Sequence, residues 1–189
     1  MLTSTCDITS DAPLSERRRI RIAVAAFYFC QGLAFASWAS RIPTIKQALG
    51  LSEGELGTIL LMLPIGQLLT MPISGNLVSK FGSHRLLPIV GMLYVTNLFS
   101  IALAPNAWWL GAALFLFGII GNMCNIAVNT QGVLAEGIYN RSIMSSFHGT
   151  WSIAGFTGAL IGLICMTFKI GIEVHFLIVT AIVWALNLA

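Results

Sequence analysis

Charge is the scarcest property of this sequence. Its 189 residues include seven Asp or Glu and ten Lys or Arg, 9% of the chain, whereas 57% are hydrophobic; soluble globular domains carry roughly 25% charged and about 45–50% apolar residues. A soluble domain is thereby excluded, and lipid is the solvent for most of the chain. The formal net charge of +3 is scattered over short connections, which excludes a basic nucleic-acid-binding stripe. Metal and disulfide patterns are also missing. Of the four cysteines, Cys30, Cys124 and Cys165 fall in apolar runs and Cys6 near the N-terminus, with neither bridge nor ligand spacing, so no cofactor or metal is expected. No low-complexity segment or repeat is evident.

What is present is a succession of apolar runs. Six can be read, at residues 22–40, 56–78, 86–104, 107–134, 146–168 and 170–189. About 20 apolar residues cross about 30 Å of hydrocarbon, so each is long enough for a span. The runs are continuous rather than alternating, which argues for helices and against barrel strands. An all-α integral membrane protein follows, with a polar tail at residues 1–21 and a six-helix bundle at 22–189. The segment 41–55 contains Pro43 and the helix-start pattern Leu51-Ser52-Glu53 and is expected to carry a short surface helix. Pro105-Asn106 makes a tight hairpin of the third and fourth runs.

Arg17, Arg18, Arg19 and Arg21 directly precede the first run. Ala34-Phe35-Ala36 imitates a cleavage site, but the run is longer than a signal-peptide core and five more follow, which favours a retained first helix. With six crossings, Lys80, Arg85 and Arg141 join the four arginines on one side, and Arg41, Lys46 and Lys169 lie on the other. Seven against three obeys the positive-inside rule, placing both termini in the cytoplasm.

Polar residues inside spans need a protein interior or a watery cavity. Asn122, Asn125 and Asn129 are spaced by three and four residues, sharing one helical face with Gly118, Gly132 and Glu136. The stripe is read as lining a substrate cavity, the alternative being helix-to-helix hydrogen bonds worth about 0.6 kcal/mol each. Glu136 is expected to pair with Arg141. In the fifth run His148, Trp151, Ser152 and Gly155 share a face; an imidazole can relay a proton near neutral pH. Gly155, Gly158 and Gly162 are read as packing positions. Gln31 and Trp38 lie seven apart in the first run, and Gln67, Thr70 and Ser74 share a face in the second. Trp108 and Trp109 fit interfacial anchors.

The segment Gly75-Asn76-Leu77-Val78-Ser79-Lys80-Phe81-Gly82-Ser83-His84-Arg85 resembles the loop signature G-x-L-x-D-[RK]-x-G-[RK]-[RK] of the major facilitator superfamily. Gly75, Lys80 and Gly82 keep the pattern and a basic Arg85 remains directly after it, whereas Ser79 stands where that family usually has aspartate. Ala36-Ser37-Trp38-Ala39-Ser40-Arg41-Ile42-Pro43, Asn125-Ile126-Ala127-Val128-Asn129 and Phe147-His148-Gly149 with Ser152 and Gly155 together resemble the fucose-permease-like branch, especially its YbjJ-type inner-membrane members. The resemblance implies a secondary carrier working by alternating access, its first and fourth helices lining the cavity. It implies one half, a three-plus-three inverted repeat, of a twelve-helix fold. A second six-helix half, supplied by a missing C-terminal portion or by a homodimer partner, is then required. Relatives in that branch carry carboxylates in the first and fourth helices; this chain has none there, leaving His148 as the only buried titratable candidate for proton coupling.

The expected function is transport of a small polar organic solute, such as a sugar. Gln31, Trp38, Asn122, Asn125, Asn129, His148, Trp151 and Ser152 form the candidate site, because amides offer donors and acceptors to hydroxyls and tryptophan covers a sugar's apolar face. No Lys or Arg lies inside a run, which argues against an anionic substrate. A lipophilic drug exporter is the alternative, weakened by the absence of a Gly-Pro pair in the fifth run. A truncated non-transporting scaffold is another. A membrane serine hydrolase would have to use Ser152 with His148, and no G-x-S-G occurs, so the chain is not expected to be an enzyme.

Overall fold

A computed structural model describes residues 13–188 of the chain. Cys6 and most of the polar tail lie outside the described residues. The helices are α1 Leu14–Ser40, α2 Ile42–Ala48, α3 Glu53–Leu60, α4 Met62–Phe81, α5 Ser83–Thr96, α6 Leu98–Ala102, α7 Ala107–Tyr139, α8 Met144–Thr167 and α9 Ile172–Leu188. Five segments are long and apolar enough to cross a membrane: Leu14–Ser40, Glu53–Phe81, Ser83–Ala102, Ala107–Tyr139 and Met144–Thr167. The sixth run forms α9, whose 17 residues rise about 25 Å, somewhat less than the hydrocarbon thickness.

Boundaries follow local chemistry. Helix α1 begins at Leu14, so Arg17, Arg18, Arg19 and Arg21, at the end of the polar tail, are helical. Arginine is a good helix former, and Arg21 is held from two sides: its guanidinium lies 5.7 Å from the Tyr139 ring centroid and donates to Ser146 Oγ at 3.3 Å. The expected short helix in the 41–55 connection is α2, with Pro43 in its first turn. Ser52 and Glu55 form a reciprocal capping box that starts α3, and only Leu61 separates α3 from α4. Gly82, with φ of 82°, is the single residue between α4 and α5; a side chain there would be strained, which accounts for this glycine of the loop signature. Gly75 faces open space, and Ser79, Lys80 and Arg85 are exposed. Asn106 opens α7 by accepting the Trp109 amide at 2.9 Å.

Glycine sets the packing. At the α1–α8 contact a Cβ on Gly32 would stand 2.5 Å from the Trp151 carbonyl oxygen, and one on Gly158 would stand 2.8 Å from that of Leu33. The α4–α7 contact is tighter: Gly66 and Gly118 would bring a Cβ to 2.3 and 2.1 Å from the carbonyl oxygens of Phe115 and Leu63. Helices in lipid associate through such close backbone approach because lipid supplies no hydrophobic drive between them. A Cβ on Gly162 would meet the Ser40 side chain rather than backbone, whereas nothing lies within 4 Å of a Cβ on Gly155, which removes Gly155 from the packing positions expected from sequence.

Polar groups complete the bundle. Glu136 does not pair with Arg141; its Oε1 accepts from Ser142 Oγ at 2.9 Å and from the amides of Ile143 and Met144 at 2.7 and 2.9 Å. A carboxylate at the start of α8 satisfies free N–H groups and complements the helix dipole, while Arg141 lies over the Tyr139 ring. Asn97, between α5 and α6, donates to the Ala113 carbonyl at 3.0 Å. Arg41, expected in a solvated connection, is only 2% exposed. Its Nε donates to Nδ1 of the fully buried His175 at 3.0 Å and a terminal nitrogen donates to the Ile170 carbonyl at 3.0 Å. These bonds tie the end of α1 to α9.

Gly118→Ala places a methyl against a backbone carbonyl that cannot rotate away and is expected to cost about 1–3 kcal/mol or more. Gly155→Ala is expected to be close to neutral; thermal unfolding in detergent followed by tryptophan fluorescence separates the two. His175→Leu strands the buried Arg41 Nε–H, a loss of about 1–3 kcal/mol, read as a lower midpoint in the same melts.

Candidate functional site

Residues of α1, α4, α5, α7 and α8 line a cavity of about 430 Å³: Tyr28, Gln31, Phe35, Gln67, Tyr94, Gly121, Asn122, Asn125, His148 and Trp151. Tyr28, Gln31 and Phe35 are one and two turns apart on α1, and Gly121, Asn122 and Asn125 share the facing side of α7. Among the described residues no carboxylate, lysine or arginine lines this cavity. Its polarity comes from four amides, one imidazole and two phenols, and its apolar surface from Phe35 and Trp151.

Of the eight site residues expected from sequence, the structure brings Gln31, Asn122, Asn125, His148 and Trp151 together around the cavity. Three are placed elsewhere. Trp38 is 5% exposed and packs behind the wall, 5.6 Å from the Phe35 ring centroid and 5.8 Å from that of Phe117. Ser152 donates to the backbone carbonyl of His148 at 3.1 Å and not to its imidazole, so the pair lacks the geometry of a base-activated nucleophile. Asn129 bridges helices: Tyr28 Oη donates to its Oδ1 at 2.9 Å, and its Nδ2 donates to the Asn125 carbonyl at 2.8 Å.

His148 is exposed and meets the Tyr28 ring edge-on at 5.5 Å, while Tyr28 stacks on Phe147 at 5.4 Å. The fully buried histidine is instead His175, against Arg41, so His148 is not the only titratable group inside the bundle. In the second segment Gln67 reaches the cavity, whereas Thr70 and Ser74 donate to the carbonyls of Gly66 and Thr70 at 2.7 and 3.0 Å, satisfying themselves within the helix.

Sequence periodicity missed Tyr28, Phe35, Tyr94 and Gly121. Tyr94 stacks on Phe117 with centroids 4.2 Å apart, and a Cβ on Gly121 would come within 2.9 Å of its ring. The glycine makes room for the phenol. A glycine one position before Asn122 was the available signal, since it marks close approach of a neighbour on the same face.

Comparison with known proteins finds curated relatives named as transporters. The chain is 34% identical over 155 residues to an uncharacterized transporter, y4wD, of Sinorhizobium fredii, covering 82% of this chain and 41% of the relative. It is 32% identical over 139 residues to an uncharacterized MFS-type transporter of Yersinia pestis, covering 74% and 36%. It is 32% identical over 160 residues to the membrane protein MosC of Rhizobium meliloti, covering 84% and 38%. No family model matches, and no solved structure matches. The chain spans about two fifths of the length of these curated relatives. With its apolar helices and uncharged cavity it is a multi-pass membrane protein homologous to transporters, one of them of the MFS type.

Proposed function

We propose that this chain is the N-terminal half of a major facilitator carrier of the fucose-permease-like branch, binding a small neutral polar solute such as a sugar in the cavity and moving it by alternating access. The observation that carries the reading is the cavity wall: Gln31, Gln67, Asn122 and Asn125 present amides and Phe35 and Trp151 present rings, with no charged side chain among the lining residues. Amides exchange both donors and acceptors with hydroxyls, and rings cover the apolar face of a sugar. The same wall counts against a lipophilic drug exporter, which would leave the buried acceptors Gln31 Oε1 and Asn122 Oδ1 without donors.

The helix pairing supports a three-plus-three inverted repeat with α9 as its sixth helix. The first span packs through glycine on the fifth, and the fourth packs likewise on the second; exchanging the two halves of the repeat maps one pair onto the other. The arginines at the start of α1 support cytoplasmic termini in an inner membrane. A second six-helix half, from the remainder of a longer chain or from a second copy, completes the transport path.

In a complete two-half carrier Asn125→Leu is expected to express normally and to weaken solute recognition, each lost hydrogen bond being worth about 0.5–1.5 kcal/mol. His148→Gln keeps hydrogen bonding and removes the titrating imidazole, so a carrier coupled through His148 retains exchange and loses proton-driven accumulation. Uptake and counterflow of radiolabelled sugars into proteoliposomes separate the two effects. Normal accumulation by His148→Gln would reject its coupling role, and unchanged transport of every sugar by Asn125→Leu would reject the binding role of the stripe.

A further inference from the structure

A backbone carbonyl accepts hydrogen bonds and never donates, so a side-chain amide that meets one must do so through its nitrogen. One such contact decides the polarity of the α7 wall. Asn129 Nδ2 donates to the Asn125 carbonyl at 2.8 Å, which turns Asn129 Oδ1 toward Tyr28, whose hydroxyl donates to it at 2.9 Å. The same Nδ2 lies 3.2 Å from Asn125 Oδ1. The Asn125 side-chain oxygen is therefore engaged by Asn129, and its own NH₂ is left as the free group of an exposed, cavity-lining residue.

A second contact sets the opposite polarity across the cavity. Gln31 Nε2 donates to the Gly121 carbonyl at 3.5 Å, and Gln31 Oε1, on a side chain 92% buried by its 8% exposure, has no hydrogen-bond partner. Asn122 Oδ1, on α7 one turn before Asn125, is also buried without a donor. Buried acceptors left without donors are unfavourable, and hydrogens brought by a solute, reached by small side-chain rotations, would satisfy them.

We propose that Asn129 is a positioning residue that fixes the polarity of the Asn125 amide, so that a bound solute places an acceptor oxygen against the Asn125 NH₂ and offers O–H or N–H donors to Gln31 and Asn122. This rests on the reading of the cavity as a solute site. It narrows the solute to neutral molecules carrying both kinds of group, as hydroxylated compounds do. A cationic amine would set N–H against N–H at Asn125, and a carboxylate would find no countercharge among the lining residues and no use for the two acceptors.

The test uses the 189-residue chain in nanodiscs with ¹⁵N-labelled asparagine, observed by NMR. In the wild type the Asn125 side-chain NH₂ is expected to exchange quickly and to broaden with a water-soluble paramagnetic agent, while the Asn129 NH₂ is protected. Asn129→Asp keeps an acceptor for Tyr28 and gives Asn125 no hydrogen, so it is expected to shift the Asn125 pair with helicity retained. Protection of Asn125 with exposure of Asn129, or an Asn125 pair unmoved in Asn129→Asp, overturns the inference. If that variant does not fold, the wild-type protection pattern decides alone. Titration with aldohexoses, the matching uronic acids and the matching amino sugars then tests specificity. A neutral sugar is expected to shift the Asn125 NH₂, at least tenfold more tightly than its charged counterparts and at least tenfold more weakly in Asn129→Asp. Equal binding of the charged sugars also overturns the inference; no shift with any sugar, with the protection pattern intact, overturns the solute reading of the cavity instead.

Discussion

Backbone touching backbone at two glycine-mediated contacts is the constraint on which the rest of the molecule depends. Gly32 and Gly158 bring α1 against α8, and Gly66 and Gly118 bring α4 against α7, so closely that a methyl group would meet a carbonyl oxygen. In lipid no difference in polarity drives two apolar helices together, and association rests on van der Waals fit and a few hydrogen bonds. Two tight pairs fix the rotation of four helices about their axes. That rotation turns Gln31, Asn125 and His148 toward the same cavity and leaves Leu68, Leu69, Phe156 and Leu163 on exposed faces suited to lipid or to another bundle.

Polar chemistry is distributed in two zones. Around the cavity it is neutral and adjustable, built from amides whose partners are other amides, phenols and backbone carbonyls. Where α1 ends it is buried and fixed, with Arg41 clasped by His175 and the Ile170 carbonyl. A guanidinium excluded from water is costly unless several of its hydrogens are used, so this clasp favours one relative placement of α1 and α9.

Much of this was legible in the sequence because hydrocarbon penalises exceptions. Five of the six apolar runs are the five long spans, Ser52 starts a helix as its pattern predicts, and the asparagine stripe supplies two cavity residues. The failures have one physical origin. Helical periodicity shows which residues share a face but not how that face is rotated against its neighbours. Trp38 and Asn129 therefore read as cavity residues although one packs in the core and the other bridges to Tyr28. Tyr28, Phe35 and Tyr94 could not be told from lipid-facing aromatics. Arg41 and His175 are 134 residues apart, and nothing local to either announces the contact. Glu136 looked like half of an ion pair because its true partners are backbone amides, which every residue but proline possesses.

The central claim, that the faces of α1, α7 and α8 enclose a polar, water-filled solute cavity, is tested most directly by cysteine accessibility. In a background with Cys6, Cys30, Cys124 and Cys165 replaced by serine or alanine, Asn125→Cys is reconstituted in proteoliposomes and its labelling by a charged methanethiosulfonate reagent is timed against Trp38→Cys. Rapid modification of position 125 and little or none at position 38 is the expected result. An unreactive cysteine at 125, or equal rates at the two positions, would contradict the cavity.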